Sequence, residues 1–339
     1  MSLPVLEPGT TIAPGYELIT HLSRGRRLDV YDAWDRRRGC RCVVKALRPE
    51  RLDEMRARES LLEEGRLLCR LSHPHLVRGY ETLAVPEPLV IMETLGGRTL
   101  AHMIETDGSL SAPDAAQLGL QLGSVVRYLH ANGVLHLDLK PSNVVAEARR
   151  AKVIDLSVAR APGPAPAEIG TWWYMAPEQV RGGVLGAAAD VWGIGAVLFE
   201  AMVGEAPFED LTEDDTSEDS REFESTGTGA EGESPTGSSL EAHAGPWLQL
   251  ERPAARIDEL VGAEPALADV VAACLEPAPE RRPTVVELMA GLEPLTGLPR
   301  SEWRWQSDAL RPAHAEGWPD ARQLQDRGRG AAQHPLRRG

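Results

Sequence analysis

The chain has 339 residues, 42% of them hydrophobic, and this length is enough to bury one or two cores. Its formal net charge is −15, but residues 209–241 hold twelve Asp or Glu and one Arg and account for −11 of it. The nearly balanced remainder argues against nucleic-acid binding by phosphate neutralisation and against a polybasic membrane anchor. No run of about 18 apolar residues and no signal-peptide-like start is present, and the four cysteines lack zinc-ligand spacing. These features predict a cytoplasmic protein with reduced thiols and no transmembrane segment.

The first third of the chain predicts strands around one helix. Residues 16–48 are strand-like, because β-branched and apolar runs are separated by the turn-rich SRGRR and RRRG. Residues 50–71 predict a helix from apolar side chains at helical spacing. Residues 83–95 predict a strand pair with PEP as its turn.

Helical patterns dominate the rest of the ordered sequence. The stretch 112–133 predicts a long amphipathic helix, with Pro113 near its start and Gly133 after its end. Residues 246–295 also predict packed helices, in ALADVVAACL and PTVVELMAGL. Strands first and helices later predict an α+β protein with two lobes.

Two segments depart from these patterns. Residues 209–245 are acidic, rich in Ser, Thr and Gly, and poor in large apolar side chains, which predicts a disordered insertion. Its hydroxyl residues are either autophosphorylation or signalling-partner sites, or parts of a solvated spacer. Residues 296–339 show no periodicity and predict a disordered tail, with a short docking motif around Trp303 and Trp305 as the alternative.

Two short stretches, HLDLKPSN and IDLS, place polar residues in an order that suits phosphoryl transfer. This reaction needs a cation on the phosphates, metal ligands and a group that orients the acceptor hydroxyl. Asp138 is the candidate for orienting the hydroxyl or accepting its proton. Asn143 and Asp155 are the candidate metal ligands.

The phosphate-binding cation has a candidate in the strand-like CVVK. Lys45 ends this stretch, and its holder should lie on the following helix, where Glu64 takes the facing position and Glu63 is the near alternative. Only three of the 36 basic residues are lysines, namely Lys45, Lys140 and Lys152. Since Arg fills every other basic position, a Lys marks a place where the chemistry requires an ammonium group.

Three further motifs, GTWWYMAPE, DVWGIG and CLEPAPERRPT, extend the pattern along the chain. In order and separation, all these motifs resemble the eukaryotic-like (Hanks-type) Ser/Thr protein kinases of bacteria. The resemblance covers residues 14–295 and implies a two-lobed protein-kinase fold, with a small β-rich N-lobe (about 14–95) and a larger helical C-lobe (about 96–295). Residues 1–13 are then an N-terminal extension. ATP and Mg²⁺, or Mn²⁺, are the implied cofactors, and proteins are the implied substrates.

The resemblance also implies roles for single residues. Lys140 neutralises the transferring phosphoryl group, and Thr171 hydrogen-bonds the catalytic Asp and Lys. Arg282 pairs with Glu178. The implied adenine site has apolar walls and a connecting segment that offers backbone hydrogen bonds; its residues are Leu22, Val30, Val43 and Val145, with the segment from Glu93 to Leu95.

The stretch SRGRRLDV departs furthest from the family pattern of a glycine-rich loop. Of three glycines only Gly25 remains, with Ser23 in place of the first and Leu28 in place of the third. Glycines let backbone N–H groups approach the phosphates, so Leu28 predicts a stiffer tip. The three arginines of this cofactor-binding stretch either offer positive charge to the phosphates or point to solvent.

Leu137 stands where the family has an Arg that binds a phosphorylated activation segment. That segment, residues 158–169, contains no Ser, Thr or Tyr. Because the receptor and the acceptor of the phosphate are both absent, we expect activity without phosphorylation of this segment, whose three prolines limit its freedom. Activating phosphate on Ser157 or Thr171 would contradict this hypothesis.

The sequence therefore predicts an ATP-dependent Ser/Thr protein kinase. The main alternative is a pseudokinase, a nucleotide-binding or scaffold module of the same fold, which the altered glycine loop and Leu137 favour. Retention of every charged catalytic residue favours the enzyme. A small-molecule phosphotransferase is a weaker alternative, because GTWWYMAPE resembles a peptide-positioning segment.

Overall fold

The computed structural model describes residues 4–209 and 247–297. The predictions for the acidic insertion and the tail lie outside the described residues, apart from Glu209, Thr296 and Gly297.

The N-terminal lobe is built on a six-stranded antiparallel sheet in the order β1-β2-β3-β4-β6-β5. Its strands are β1 (Thr11–Ala13), β2 (Tyr16–Arg24), β3 (Leu28–Asp35), β4 (Cys40–Leu47), β5 (Gly79–Leu83) and β6 (Leu89–Glu93). One face buries an apolar cluster that includes Tyr16, Tyr31 and Val44. Because side chains alternate along a strand, Val43 and Lys45 lie on the opposite face.

The single helix of this lobe, α1 (Met55–Arg70), begins later than the predicted range of 50–71. Pro49 starts a separate 3₁₀ turn, Pro49–Arg51, and the chain turns again before α1. The strand pair predicted at 83–95 is also shifted, since β5 ends at Leu83. Gly79 lets β5 lie close to α1, because a Cβ at this position would come within 2.7 Å of the Leu68 carbonyl carbon.

The C-terminal lobe is helical and packs around one central helix. Its helices are α2 (Leu100–Asp107), α3 (Ala112–Ala131), α4 (Pro177–Arg181), α5 (Ala187–Val203), α6 (Leu248–Glu251), α7 (Ile257–Val261), α8 (Pro265–Cys274) and α9 (Val285–Leu292). The central helix α5 is buried along nearly its whole length, with α3 and α8 packed against it. The predicted long helix is confirmed as α3, which begins after Ser111, whose hydroxyl accepts the N–H of Asp114.

Two small sheets complete the described structure. Strands β7 (Arg98–Thr99), β8 (Val144–Glu147) and β9 (Arg150–Val153) form one antiparallel sheet, and β10 (Gly163–Ala165) pairs with β11 (Gly183–Leu185) in the other. The two-lobed arrangement agrees with the predicted α+β class. No helix within residues 4–209 and 247–297 is long and apolar enough to cross a membrane.

Candidate active site

Lys45 on β4 contacts carboxylates from two distant parts of the chain. Its Nζ lies 2.6 Å from Oε1 of Glu64 on α1 and 3.2 Å from Oδ2 of Asp155. Lys45 and Glu64 are 7% and 1% exposed, so water is largely excluded from this pair. Glu63, the alternative partner, has a side chain that is 58% exposed and pairs with Arg66. Lys45 thus joins the sheet, α1 and the IDLS stretch.

The charges of this cluster are set by burial and by one another. Burial alone would lower the pKa of Lys45, but the two carboxylates raise it above its ordinary value. Burial opposes ionisation of Asp155, yet Lys45 and hydrogen bonds from Ser157 hold the pKa of its carboxyl below the usual range. Burial raises the pKa of Glu64, which shares the ammonium group with Asp155. A fixed positive charge and a fixed negative charge therefore lie side by side.

A second cluster forms around Asp138. Thr171 Oγ1 donates to Asp138 Oδ1 at 2.7 Å, and Lys140 Nζ donates to Thr171 Oγ1 at 2.8 Å. Lys140 Nζ also lies 3.7 Å from Asp138 Oδ2. The amide nitrogen of Asn143 donates to the Asp138 backbone carbonyl at 3.0 Å and to Oδ2 at 3.1 Å. These contacts orient both carboxylate oxygens of Asp138.

The backbone in front of Asp138 is held by Asp190 on α5. Asp190 accepts the N–H of His136 at 2.9 Å and of Leu137 at 2.7 Å, and it contacts Nε2 of His130 at 2.7 Å. Leu137 is buried and has φ of 64°, a left-handed conformation that costs a non-glycine residue about 1–3 kcal/mol. His136 is also buried, and burial lowers its pKa, so it is a neutral packed residue.

The segment that follows IDLS is fastened by backbone contacts. Arg160 and Leu135 exchange two backbone hydrogen bonds, of 2.7 and 3.0 Å. Further along, β10 pairs with β11, and the N–H of Glu168 donates to the Gln179 carbonyl at 2.8 Å. Residues 158–169 are therefore held at their beginning, middle and end.

GTWWYMAPE and CLEPAPERRPT meet through the predicted ion pair. Arg282 donates to both carboxylate oxygens of Glu178, at 2.6 and 2.9 Å. Its guanidinium also lies over the ring of Trp192, which is fully buried. Trp172 stacks on Trp247, with ring centroids 3.7 Å apart. Trp192 is therefore a packing residue.

Comparison with known proteins decides the family. The family model described as the protein kinase domain matches residues 16–291. This chain belongs to the protein kinase domain family. The match confirms the predicted two-lobed kinase fold, with the sheet in the N-lobe and the helices in the C-lobe.

Similar proteins include several bacterial kinases. The serine/threonine-protein kinase PknB of Mycobacterium leprae is 34% identical over 205 residues, which cover 57% of this chain and 33% of the relative. PknB of Mycobacterium tuberculosis H37Rv is 34% identical over 206 residues, covering 57% and 33%. A probable PknB of Bifidobacterium longum is 31% identical over 218 residues, covering 59% and 32%. This chain spans about a third of the length of these relatives, and the predicted resemblance to bacterial Ser/Thr kinases is confirmed.

The glycine-poor loop of this kinase domain is a closed hairpin. Strands β2 and β3 stay paired up to Arg24 and Asp29. The N–H of Gly25 donates to the Leu28 carbonyl at 2.8 Å, so the structure uses this amide within the turn. Arg48 donates to the Gly25 carbonyl at 3.3 Å. The predicted stiffness of the tip therefore has a structural basis.

Arg24 in this loop forms an ion pair with Asp29, which accepts from its Nε at 2.7 Å and from its Nη2 at 2.9 Å. This contact matches neither predicted alternative, because the guanidinium neither points to solvent nor offers an uncompensated charge to the phosphates. Asp29 is 1% exposed. Arg27 lies 3.9 Å from Glu54. The loop is thus closed by a bidentate ion pair.

We expect Asp29→Asn and Arg24→Gln to raise the KM for ATP by similar, several-fold amounts, because each variant opens the same ion pair above the cleft. Initial rates measured against ATP concentration test this. Arg36→Gln is the control, since Arg36 pairs with Glu17 at the surface. If Arg24 bound the phosphates directly, Arg24→Gln would have a much larger effect than Asp29→Asn, and the ion-pair account would be wrong.

The predicted adenine-site residues occupy both lobes. Val30 pairs with Lys45 across β3 and β4, and Val43 lies two residues before Lys45, so both share its face. Val145 is buried on β8 of the C-lobe. Leu22 is 48% exposed at an irregularity in β2.

Lys152 fixes the segment between the lobes, which is a structural role and not the chemical one that the scarcity of lysine predicts. Lys152 on β9 forms an ion pair with Glu93 at the end of β6. Glu93 also accepts the N–H of Arg78 at 2.9 Å. The third lysine of the chain therefore serves the connection between lobes, and Leu95 follows two residues after its partner.

Asn143 and Asp155 carry side-chain oxygens, which are the ligand atoms that a hard divalent cation such as Mg²⁺ prefers. The N–H of Ile154 donates to the Asn143 carbonyl at 3.0 Å, which brings the two residues to neighbouring positions. The hydrogen bonds from Asn143 to Asp138 use its amide nitrogen and not its amide oxygen, which is the atom that could face a cation. Among the described residues, no group of three or more His, Cys, Asp or Glu could hold a metal ion alone. Two protein oxygens completed by phosphate oxygens and water are a usual environment for Mg²⁺.

Proposed function

We propose that this chain is an ATP-dependent kinase that phosphorylates Ser or Thr hydroxyls of protein substrates. The observation that carries the proposal is the joint presence of two clusters, Lys45 with Glu64 and Asp155, and Asp138 with Lys140 and Thr171. They supply the cation, the metal ligand and the hydroxyl-orienting group that phosphoryl transfer requires.

In the proposed mechanism, the protein mainly positions and stabilises charge. Glu64 holds the Lys45 ammonium, which binds the phosphates of the nucleotide. Asp138 accepts a hydrogen bond from the substrate hydroxyl and takes its proton as the hydroxyl oxygen bonds to the γ-phosphorus of ATP. The bond from that phosphorus to the oxygen bridging the β- and γ-phosphates breaks, and ADP leaves. Lys140 stabilises negative charge on the transferring group, and Thr171 keeps Lys140 and Asp138 in register.

Asn143 and Asp155 are the residues that would hold Mg²⁺ or Mn²⁺. When bound, such an ion would neutralise negative charge on the phosphates of ATP. The lowered pKa of Asp155 supports this role, because its carboxylate stays ionised at neutral pH. The proposed nucleotide site consists of the glycine-poor loop, apolar side chains of both lobes and the connecting segment. Its residues are Leu22, Ser23, Gly25, Val30, Val43, Val145 and the segment from Glu93 to Leu95.

The proposal includes activity without phosphate on residues 158–169. Backbone pairing of β10 with β11 and the burial of Leu137 support it, since the segment is already fastened and an Arg receptor is absent.

We expect phosphosite mapping of the active protein to find no stoichiometric phosphate on Ser157 or Thr171. The hydroxyl of Thr171 already lies between Asp138 and Lys140. Phosphatase treatment that abolished activity, together with phosphate at either residue, would contradict this part of the proposal.

A pseudokinase is the second candidate, and the closed glycine-poor hairpin is the observation that favours it. Labelled Mg-ATP and a generic basic protein distinguish the two. Transfer of label supports the kinase. A rise in Tm with ATP but no transfer supports the pseudokinase and overturns the proposed activity.

The remaining parts of the proposal concern context. We propose residues 14–295 as the kinase domain and a cytoplasmic site of action, supported by free thiols at all four cysteines. Signalling partners that bind the acidic insertion or the tail remain a prediction, because those segments lie outside the described residues.

A further inference from the structure

Gln179 on α4 is a buried glutamine whose side chain bonds only to backbone groups. It is 2% exposed. Its Nε2 donates to the carbonyl of Leu137 at 2.8 Å and to that of Ile169 at 2.7 Å. Its Oε1 accepts the N–H of Ala176 at 3.1 Å. Both N–H donors of the amide are therefore used.

The two carbonyls lie on either side of the Asp138 cluster. Leu137 directly precedes Asp138, and Ile169 lies two residues before Thr171, which donates to Asp138. One side chain thus joins residues 136–143, the catalytic loop, to the last residues of the activation segment. Because both bonds end on the main chain, they fix the course of the backbone itself.

The backbone at this junction needs such support. Leu137 and Glu168 have φ of 64° and 62°, which non-glycine residues rarely adopt. Gly170 has φ of 122°, and a Cβ there would come within 2.7 Å of the Leu137 carbonyl oxygen. Such conformations persist where the surroundings determine them. Asp190 bonds the N–H of Leu137 and Gln179 bonds its carbonyl, so both polar groups of this residue are held.

We propose that Gln179 is a positioning residue that permanently ties the end of the activation segment to the catalytic loop, in place of a tie that depends on phosphate. The inference rests on the proposed function, in which residues 158–169 act unphosphorylated. A neutral amide suits this task, because it offers two donors to two carbonyls without burying a charge. A carboxylate in its place would face both carbonyl oxygens and donate to neither.

If Gln179 served only to stabilise α4, its contact with Ala176 would be the one that matters. Its bond from Ala176 lies in the first turn of α4 and could serve that helix alone. Gln179→Glu keeps this acceptor and loses both donors, whereas Gln179→Met loses all three bonds. The pair of variants therefore separates the tie from the helix contact.

The test compares both variants with Gln121→Met. Gln121 on α3 also bonds backbone groups, donating to the Arg149 carbonyl and accepting the N–H of Ala151, in a turn outside the proposed site. For proteins shown by intact mass to carry no phosphate, kcat, the KM for ATP and backbone hydrogen exchange of residues 158–171 are measured. We expect both Gln179 variants to lose roughly 100-fold in kcat, as for a misplaced catalytic group. We also expect an unchanged KM for ATP and faster exchange, with none of these effects in Gln121→Met.

Each outcome decides the question. Unchanged kcat and exchange in Gln179→Glu would overturn the inference, and so would an equal loss of kcat in Gln121→Met. If Gln179→Met does not fold, Gln179→Glu alone decides. If the unaltered protein transfers no phosphate, the proposed function fails. The exchange of residues 158–171 still tests the tie in that case, since faster exchange supports it and unchanged exchange overturns it.

Discussion

Asp138→Asn is expected to lower the rate of phosphoryl transfer roughly 10²- to 10⁴-fold while nucleotide binding persists. Asparagine keeps the shape of the side chain and can still accept the hydrogen bond that Thr171 now donates at 2.7 Å. An amide cannot take the proton of a substrate hydroxyl, so the orienting contact survives and the proton acceptor is lost. Lys45, Glu64 and Asp155 stay in place, because they are held by their own ion pairs.

Two measurements check this expectation. Initial rates of label transfer from Mg-ATP report the loss, and the rise in Tm with ATP reports that the nucleotide still binds. Asp269→Asn is the matched control, since Asp269 on α8 pairs with Arg256 at the surface, at 2.8 Å. A transfer rate equal to that of the unaltered protein would show that Asp138 is not the group that acts on the hydroxyl.

Arg282→Met is expected to give the largest loss of stability, about 3–5 kcal/mol in the free energy of unfolding. The guanidinium makes two bonds to Glu178 and three to the carbonyls of Glu276, Ala188 and Pro277, so all five of its donors are used. Its side chain is fully buried. Methionine fills similar volume but leaves the Glu178 carboxylate and three carbonyls without their donor.

Urea unfolding of the variant measures this loss. A second variant tests the cause, because Arg282→Met combined with Glu178→Gln removes the uncompensated charge and is expected to regain part of the stability. An unchanged unfolding midpoint for Arg282→Met would show that the pair contributes little. A double variant no more stable than the single one would show that the uncompensated Glu178 charge is not the cause, and would leave the three carbonyls and the packing on Trp192 as the source of the loss.

The catalytic clusters were accessible from the sequence because short motifs fix their spacing. Lys45 lies near the end of β4 and Glu64 lies on the next helix, α1, so counting along the chain brings them to facing positions. Asp138, Asn143 and Thr171 likewise belong to motifs with a fixed local course. The distances between these side chains agree with this counting.

The contacts that hold the site together were harder to predict. Gln179 bonds Leu137, 42 residues away, and no periodic pattern distinguishes a polar residue on a five-residue helix. The pairing of β10 with β11 joins three-residue strands rich in Gly and Pro, which sequence rules assign to turns. The Arg24–Asp29 pair did carry a signal, since opposite charges stand at matching positions of a predicted hairpin.

Activity without phosphate on the activation segment is tested most directly by following label transfer from the first turnovers. Protein whose intact mass shows no phosphate is mixed with Mg-ATP and a basic protein substrate. We expect a linear course from the start and an unchanged rate after preincubation with ATP. A lag that preincubation removes, accompanied by phosphate on Ser157 or Thr171, would contradict it.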